Sequence, residues 1–331
     1  MVWITNVYNT TYSAARAIWQ KKKAKVASFC QYLPAKKTRI KTRLKAFGRK
    51  YTPNLTLGMK KIIALLVLVG LFSSFSTEKI TWVAIGDSIT YLNEHQNETG
   101  NRITKGYMTR VVEKLPHIEY INKGYNGWTA GRIAEKIETL NLTKADVYTV
   151  FLGTNDWWGG RPLGTFADYE NNAGYQTLYG SFRIIIDKLR SLNPDAKIIL
   201  MTPMQRADFV YIANMKNNAY GSYKEKKGQT LGQFADAINA IGKHEKLKVI
   251  DLYNTKRLNV KKLVKYKRLK DPQTGAYKNY AYPDFIDVPF NPETDEYPYP
   301  VESIAMTYDG LHPSDEGYEV IAKLLMKALK K

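Results

Sequence analysis

Of the four histidines in this chain, only one stands beside a patterned acid. His312 follows Asp309 by three residues in the run Asp309, Gly310, Leu311, His312, Pro313. A carboxylate and an imidazole on one tight loop can reach the same place together. The acid fixes the imidazole tautomer and leaves the other ring nitrogen free to take a proton. His95 and His117 have no such neighbour, and His244 lies in a Lys/Glu-rich stretch that reads as a solvated helix end. A base of this kind serves a nucleophile. The matching candidate is Ser88, in Gly86, Asp87, Ser88, Ile89, Thr90, directly after the apolar run Ile80 to Ile85. Serine activated by histidine is the chemistry of acyl transfer. Taken singly, each motif also has a plainer meaning: a serine after a strand caps a helix, and the histidine run is a polar turn closed by Pro313.

Acyl transfer further requires donors for the oxyanion that forms on the substrate carbonyl. Two more strand ends offer them. One is Asn122 to Thr129, where Gly127 can present a backbone N–H with no side chain in the way; the other is Gly153, Thr154, Asn155, Asp156, where the Asn155 amide can enter the same crevice. Either alone is a generic glycine-rich turn. Four such segments in this order, three at successive strand ends and one before the last helix, are hard to reach by chance.

The elements that must position these residues are legible from the pattern. Short β-rich runs at Ile80 to Ile85, Ile118 to Asn122, Val147 to Leu152, Lys197 to Met201 and Leu247 to Leu252 alternate with helical periods. The helical stretches are Tyr107 to Leu115, Ala130 to Leu140, Tyr175 to Leu192, Gly232 to Lys243 and, after a Ser314 cap, a last helix ending near Leu329. That alternation predicts an α/β fold with a five-stranded parallel sheet covered by helices on both faces. In such sheets ligands bind beyond the carboxyl ends of the strands, where Ser88 falls. Residues 254 to 307 break the rhythm with a basic segment and then many tyrosines and prolines. They read as a long loop insert, a kind of segment that is often functional.

With these residues in view, the chain resembles the SGNH hydrolase superfamily, also described as GDSL-like lipases and acylhydrolases. Gly86-Asp87-Ser88 is similar to the first block of that superfamily, Gly127 to the second, Gly153 to Asp156 to the third and Asp309 to His312 to the last. Ile89 stands where the family name has leucine. The resemblance covers roughly residues 80 to 329 and implies a flavodoxin-like three-layer α/β/α sandwich. It also implies Ser88 as nucleophile, His312 as base and Asp309 as its partner. The oxyanion hole would then be the Ser88 N–H, the Gly127 N–H and the Asn155 side chain. It implies an ester substrate, with neither metal nor other cofactor.

The resemblance does not name the ester. Trp128, Trp157 and Trp158 flank the two oxyanion segments, and together with the tyrosine-rich insert they offer flat faces suited to sugar rings, unless they are packing. The sequence has no obvious long apolar lid for an acyl chain. An O-acetyl ester on a carbohydrate is therefore the leading expectation. A lipid or short-chain acyl esterase is the alternative, and a non-catalytic carbohydrate-binding protein is the rival from another class.

The formal charge of +20 would ordinarily suggest a nucleic-acid partner. It is concentrated at the front, because residues 1–58 hold thirteen Lys or Arg and no Asp or Glu, which leaves +7 for the remainder. No nucleic-acid partner is expected from that value. From Met59 the chain has a basic head at Lys60 and Lys61, an apolar run from Ile62 to Phe72 and small residues before Thr77. This is the pattern of a secretory signal peptide over 59–76, cleaved after Ser76 unless it is kept as an anchor. The run is shorter than the roughly 20 apolar residues of a membrane span. Met59 is then expected to be the working start, with 1–58 an upstream over-read; a basic arm or transit peptide is the competing reading. Cys30, the only cysteine, falls in this leader. The mature domain, 77–331, is expected to be periplasmic or extracellular.

Overall fold

The computed structural model describes residues 78–330; the leader, the signal segment and Cys30 lie outside them. β1 (Ile80–Gly86) runs into a one-turn helix, α1 (Ser88–Tyr91), followed by α2 (Tyr107–Lys114) and β2 (Ile118–Gly124). Then come α3 (Ala130–Lys136), β3 (Val147–Phe151), α4 (Thr154–Trp158), α5 (Phe166–Glu170), α6 (Leu178–Leu192) and β4 (Lys197–Met201). A small ribbon of β5 (Phe209–Val210) and β6 (Asn218–Ala219) precedes α7 (Leu231–His244) and β7 (Lys248–Ile250). A hairpin of β8 (Lys267–Lys270) and β9 (Tyr277–Tyr280) and the long α8 (Asp315–Leu329) complete the order.

The main sheet is parallel throughout, in the order β2-β1-β3-β4-β7. Its strands alternate strictly. Trp82 and Ala84 of β1 join the core on one face, against Tyr107, Val111, Tyr318 and Ile321. Val83 and Ile85 join the core on the other, against Ile133, Phe182, Ile186 and Phe234. The central strands β1, β3 and β4 are buried on both faces and the edge strands β2 and β7 only in part, the pattern of a parallel sheet between helical layers, and the result is a three-layer α/β/α sandwich. Complete burial of one such Phe or Ile side chain contributes roughly 1.5–3 kcal/mol.

The expected helices and strands are present with shifted ends. The fifth strand is shorter than Leu247 to Leu252, and the helix expected from Tyr175 begins at Leu178, where the Thr177 hydroxyl accepts the Gly180 N–H at 3.1 Å. The larger correction concerns residues 254–307. They contain the β8-β9 hairpin and three short 3-10 turns, and Leu258, Leu263, Leu269, Phe285 and Tyr299 are buried in the main core. This segment is packed structure. Its tyrosines and prolines obscured that, because a core built from scattered aromatics carries no helical or strand period.

Candidate active site

Strand register brings the pieces level. Gly86 at the end of β1 pairs with Gly124 of β2 on one side and with Phe151 of β3 on the other. The connection reverses direction here, since β2 lies on one flank of β1 and β3 on the other, and this is the switch point at which open α/β sheets leave a crevice. Ser88, Gly127 and Asn155 all leave the sheet within a few residues of that line.

Ser88 is the first residue of α1, and the cap of that helix is Asp87, whose carboxylate accepts the Ile89 N–H at 3.0 Å. The serine hydroxyl is therefore free of capping duty. Its N–H belongs to the first turn, where amides have no acceptor inside the helix. Burial pushes the Asp87 carboxyl up to about 6, partly offset by the Ile89 N–H and by the charge of His312.

His312 Nε2 lies 2.8 Å from Ser88 Oγ, and Nδ1 lies 2.6 Å from Asp309 Oδ2. Asp309 is completely buried, and its other oxygen accepts the N–H groups of Leu311 (3.0 Å) and His312 (2.7 Å). The carboxylate is thus fixed by its own loop before it orients the imidazole. Phe209 meets the imidazole edge-on and Tyr308 stacks against it, with ring centroids 5.4 and 5.9 Å away.

The loop is held from outside. Gly310 has φ +88°, and a Cβ there would fall 1.9 Å from the Asp208 carbonyl oxygen, so only glycine lets the 206–210 segment approach. That segment donates the Ala207 N–H to Gly310 O at 2.9 Å and the Val210 N–H to Asp309 O at 3.2 Å. It is braced in turn by the former loop insert. Lys267 places its amine 2.6 Å from Asp208, Tyr297 donates to Val210 O at 3.0 Å, and Tyr299 donates to Asp208 O. None of these roles had a motif in the sequence.

On the opposite wall, Gly127 has φ +70°, and a Cβ at that position would meet nothing within 4 Å. Asn155 donates one amide hydrogen to Trp128 O at 3.0 Å, which leaves the second free. Fully buried Asp156 accepts the Ala130 N–H at 2.8 Å and the Gly131 N–H at 3.3 Å, locking the start of α3 to α4. Burial raises this carboxyl above its ordinary range while the two amides oppose the shift.

Ser88, His312, Gly127 and Asn155 line one pocket of about 550 Å³, within the usual range for small-molecule sites. Of the three tryptophans expected there, only Trp158 lines it. Trp157 is fully buried and donates its indole N–H to Gln229 O at 2.9 Å. Trp128 stacks on Tyr125 at 4.4 Å and sits beneath Arg132, away from the pocket wall. No residue of 254–307 lines it either; the aromatic walls are instead Phe209, Tyr211 and Tyr308. Arg206, also in the wall, is another residue that no motif revealed. Burial pulls its guanidinium down to about 10, so it stays cationic at neutral pH. Among the described residues no group of three or more His, Cys, Asp and Glu is placed to hold a metal ion.

A parallel α/β/α sandwich with these blocks at its carboxyl edge is the fold of an ester-bond hydrolase of the SGNH superfamily. The model of the GDSL-like lipase/acylhydrolase family matches residues 84–320, and the chain belongs to that family. It is similar to the crystal structure of a possible lipase from Chitinophaga pinensis, with 60% identity and a TM-score of 0.75 over 76% of this chain and 98% of that one. A protein from Lactobacillus plantarum shares the fold at 19% identity and a TM-score of 0.52, over 77% of this chain and 98% of its own. No protein of curated function matches the chain.

Proposed function

We propose that the protein is a serine esterase that removes a short acyl group, an acetyl, from a carbohydrate. In this reading Ser88 attacks the ester carbonyl while His312 takes its proton and Asp309 stabilises the imidazolium. The oxyanion is received by the Ser88 and Gly127 N–H groups and the free amide hydrogen of Asn155. Collapse expels the alcohol, which takes the proton from His312. Water, deprotonated by the same histidine, then releases the acid and regenerates Ser88. The observation that carries the reading is the continuous chain from Asp309 through His312 to Ser88, at 2.6 and 2.8 Å.

Support for a sugar on the alcohol side comes from the pocket wall. Asn126, Asn217, Thr129 and Glu98 share it with Trp158 and Tyr211, a mixture of polar and aromatic groups that suits a polyol better than a long hydrocarbon. A specific observation also favours a short-chain acyl ester as second reading: Leu92, Phe209, Ala219 and Leu311 give part of the wall an apolar surface. A hydrolysis screen separates the two, comparing acetylated polysaccharides with acyl esters of increasing chain length. Faster turnover of the longer acyl esters would favour the second reading.

The proposal includes export. It rests on residues 59–76, and among the described residues no helix is long and apolar enough to cross a membrane. Intact-mass measurement of the natural product tests it. A mature chain starting near Thr77 is expected, and one retaining Lys21 to Lys25 would overturn the assignment.

A further inference from the structure

Among the described residues, Arg206 in the wall of the Ser88 pocket is a cation with no carboxylate in ion-pair contact. It follows β4 in the segment that braces the Asp309-His312 loop, and it is 1% exposed while lining the cavity. Among the described residues its one side-chain hydrogen bond is from Nη2 to Tyr220 O at 2.9 Å, and its buried Nε has no partner there. A guanidinium carries five N–H donors, and a buried one is ordinarily paired and hydrogen-bonded, because desolvation of an unpaired cation is costly. Among the described residues no carboxylate lies in ion-pair contact with it. Asp208, two residues on, is occupied by Lys267 at 2.6 Å, by the Gly221 N–H at 2.8 Å and by the Tyr223 hydroxyl.

Asp208 and Asp309 lie near enough to favour the charge without forming an ion pair with it, and the aromatic surroundings hold the cation in place. The guanidinium carbon stands 5.2 and 4.9 Å from the ring centres of Trp157 and Trp158, and Lys226 brings a second cation 4.0 Å from the Trp158 ring. Among the described residues the one carboxylate in the pocket wall is Glu98, which already accepts from the Tyr91 hydroxyl at 2.8 Å and from Asn126 at 3.5 Å. The pocket wall therefore holds a fixed, largely desolvated positive charge in the same cavity as the nucleophile.

We propose that Arg206 receives a carboxylate carried by the ester substrate, so that the enzyme selects esters of acidic alcohols over neutral ones. A single delocalised cation is balanced by a single anionic charge, and guanidinium and carboxylate match in plane and spacing. The proposal rests on the Ser88 esterase reading and narrows it from carbohydrates in general to acidic ones. Because carboxylate binding involves no bond change, it can be measured apart from turnover.

The test uses two acetyl esters of equal size, 4-acetoxybenzoate and 4-acetoxybenzamide, and reads the ratio of their kcat/KM values. The parent chain is expected to prefer the carboxylate by about 10- to 100-fold, the range of a hydrogen-bonded charge pair. Arg206→Met should bring the ratio close to one, and Arg206→Lys should restore part of it, which a purely structural role for the side chain would not do. In parallel, tryptophan fluorescence is titrated with the non-hydrolysable 4-acetamidobenzoate and 4-acetamidobenzamide. Tighter binding of the carboxylate without turnover of either ester would sustain Arg206 and count against the esterase reading. Turnover of both esters at equal rates by the parent chain would overturn the proposal even if neither variant folded.

Discussion

Asn155 reaches across the crevice to Trp128, giving one amide hydrogen to its carbonyl at 3.0 Å. One side chain thus ties together the two strand ends that carry the proposed oxyanion donors and still has a hydrogen to offer. Asn155→Ala should lower kcat for a small acetyl ester by about 10²- to 10³-fold, the usual effect of losing one oxyanion donor. KM should change much less. A kcat within about threefold of the parent would place the oxyanion elsewhere.

Gly310 tests how far the histidine loop depends on its brace. A side chain there meets the Asp208 carbonyl in a backbone conformation that L-residues avoid. Gly310→Ala should destabilise the fold by roughly 1–3 kcal/mol and reduce activity further, by displacing His312 from Ser88. Urea unfolding and ester turnover measured on the same preparation check both. An unchanged variant would mean that the loop and the 206–210 segment move freely against each other.

Asp87 makes a prediction about pH. Its carboxyl is held up to about 6 against an ordinary 3.8. Between those values the folded chain keeps a proton that the unfolded chain releases, so this group's contribution to stability falls as pH rises from 3.8 to about 6. The loss is on the order of 3 kcal/mol. Asp87→Asn can still accept the Ile89 N–H but carries no charge. Denaturation across that window should therefore show a smaller fall in stability with pH for the variant; parallel curves would contradict the assignment.

The neighbouring tryptophans should behave differently. Trp157 is core, so Trp157→Ala should cost about 3–5 kcal/mol of stability. Trp158 faces the pocket, and Trp158→Ala should weaken turnover of an acetylated polysaccharide more than that of a small acetyl ester, because only the larger substrate uses remote contacts. Equal losses on the two substrates would assign Trp158 to packing.

What the sequence revealed and what it hid divide along a physical line. Ser88, Gly127, Asn155 and the Asp309-His312 pair were legible because each sits where a regular element ends, and strand and helix periods locate such ends. The alternation of β1 was legible for the same reason. Trp157 and Trp158 are adjacent in sequence yet one is core and the other pocket wall, since residues a single step apart on a helix face different directions. Arg206, Lys267 and Tyr299 act through contacts spanning many residues, for which the chain carries no local period. The insert was misread on the same account: its hydrophobic residues are spaced to fit the surface that they cover.

Ser88 is assigned as the nucleophile, and turnover of a small acetyl ester by Ser88→Ala, with its melting curve confirming an intact fold, tests that assignment. A fall in kcat of at least about 10⁴-fold is expected, because among the described residues no other hydroxyl is hydrogen-bonded to His312. A variant that keeps its fold and turns over within about tenfold of the parent would contradict it.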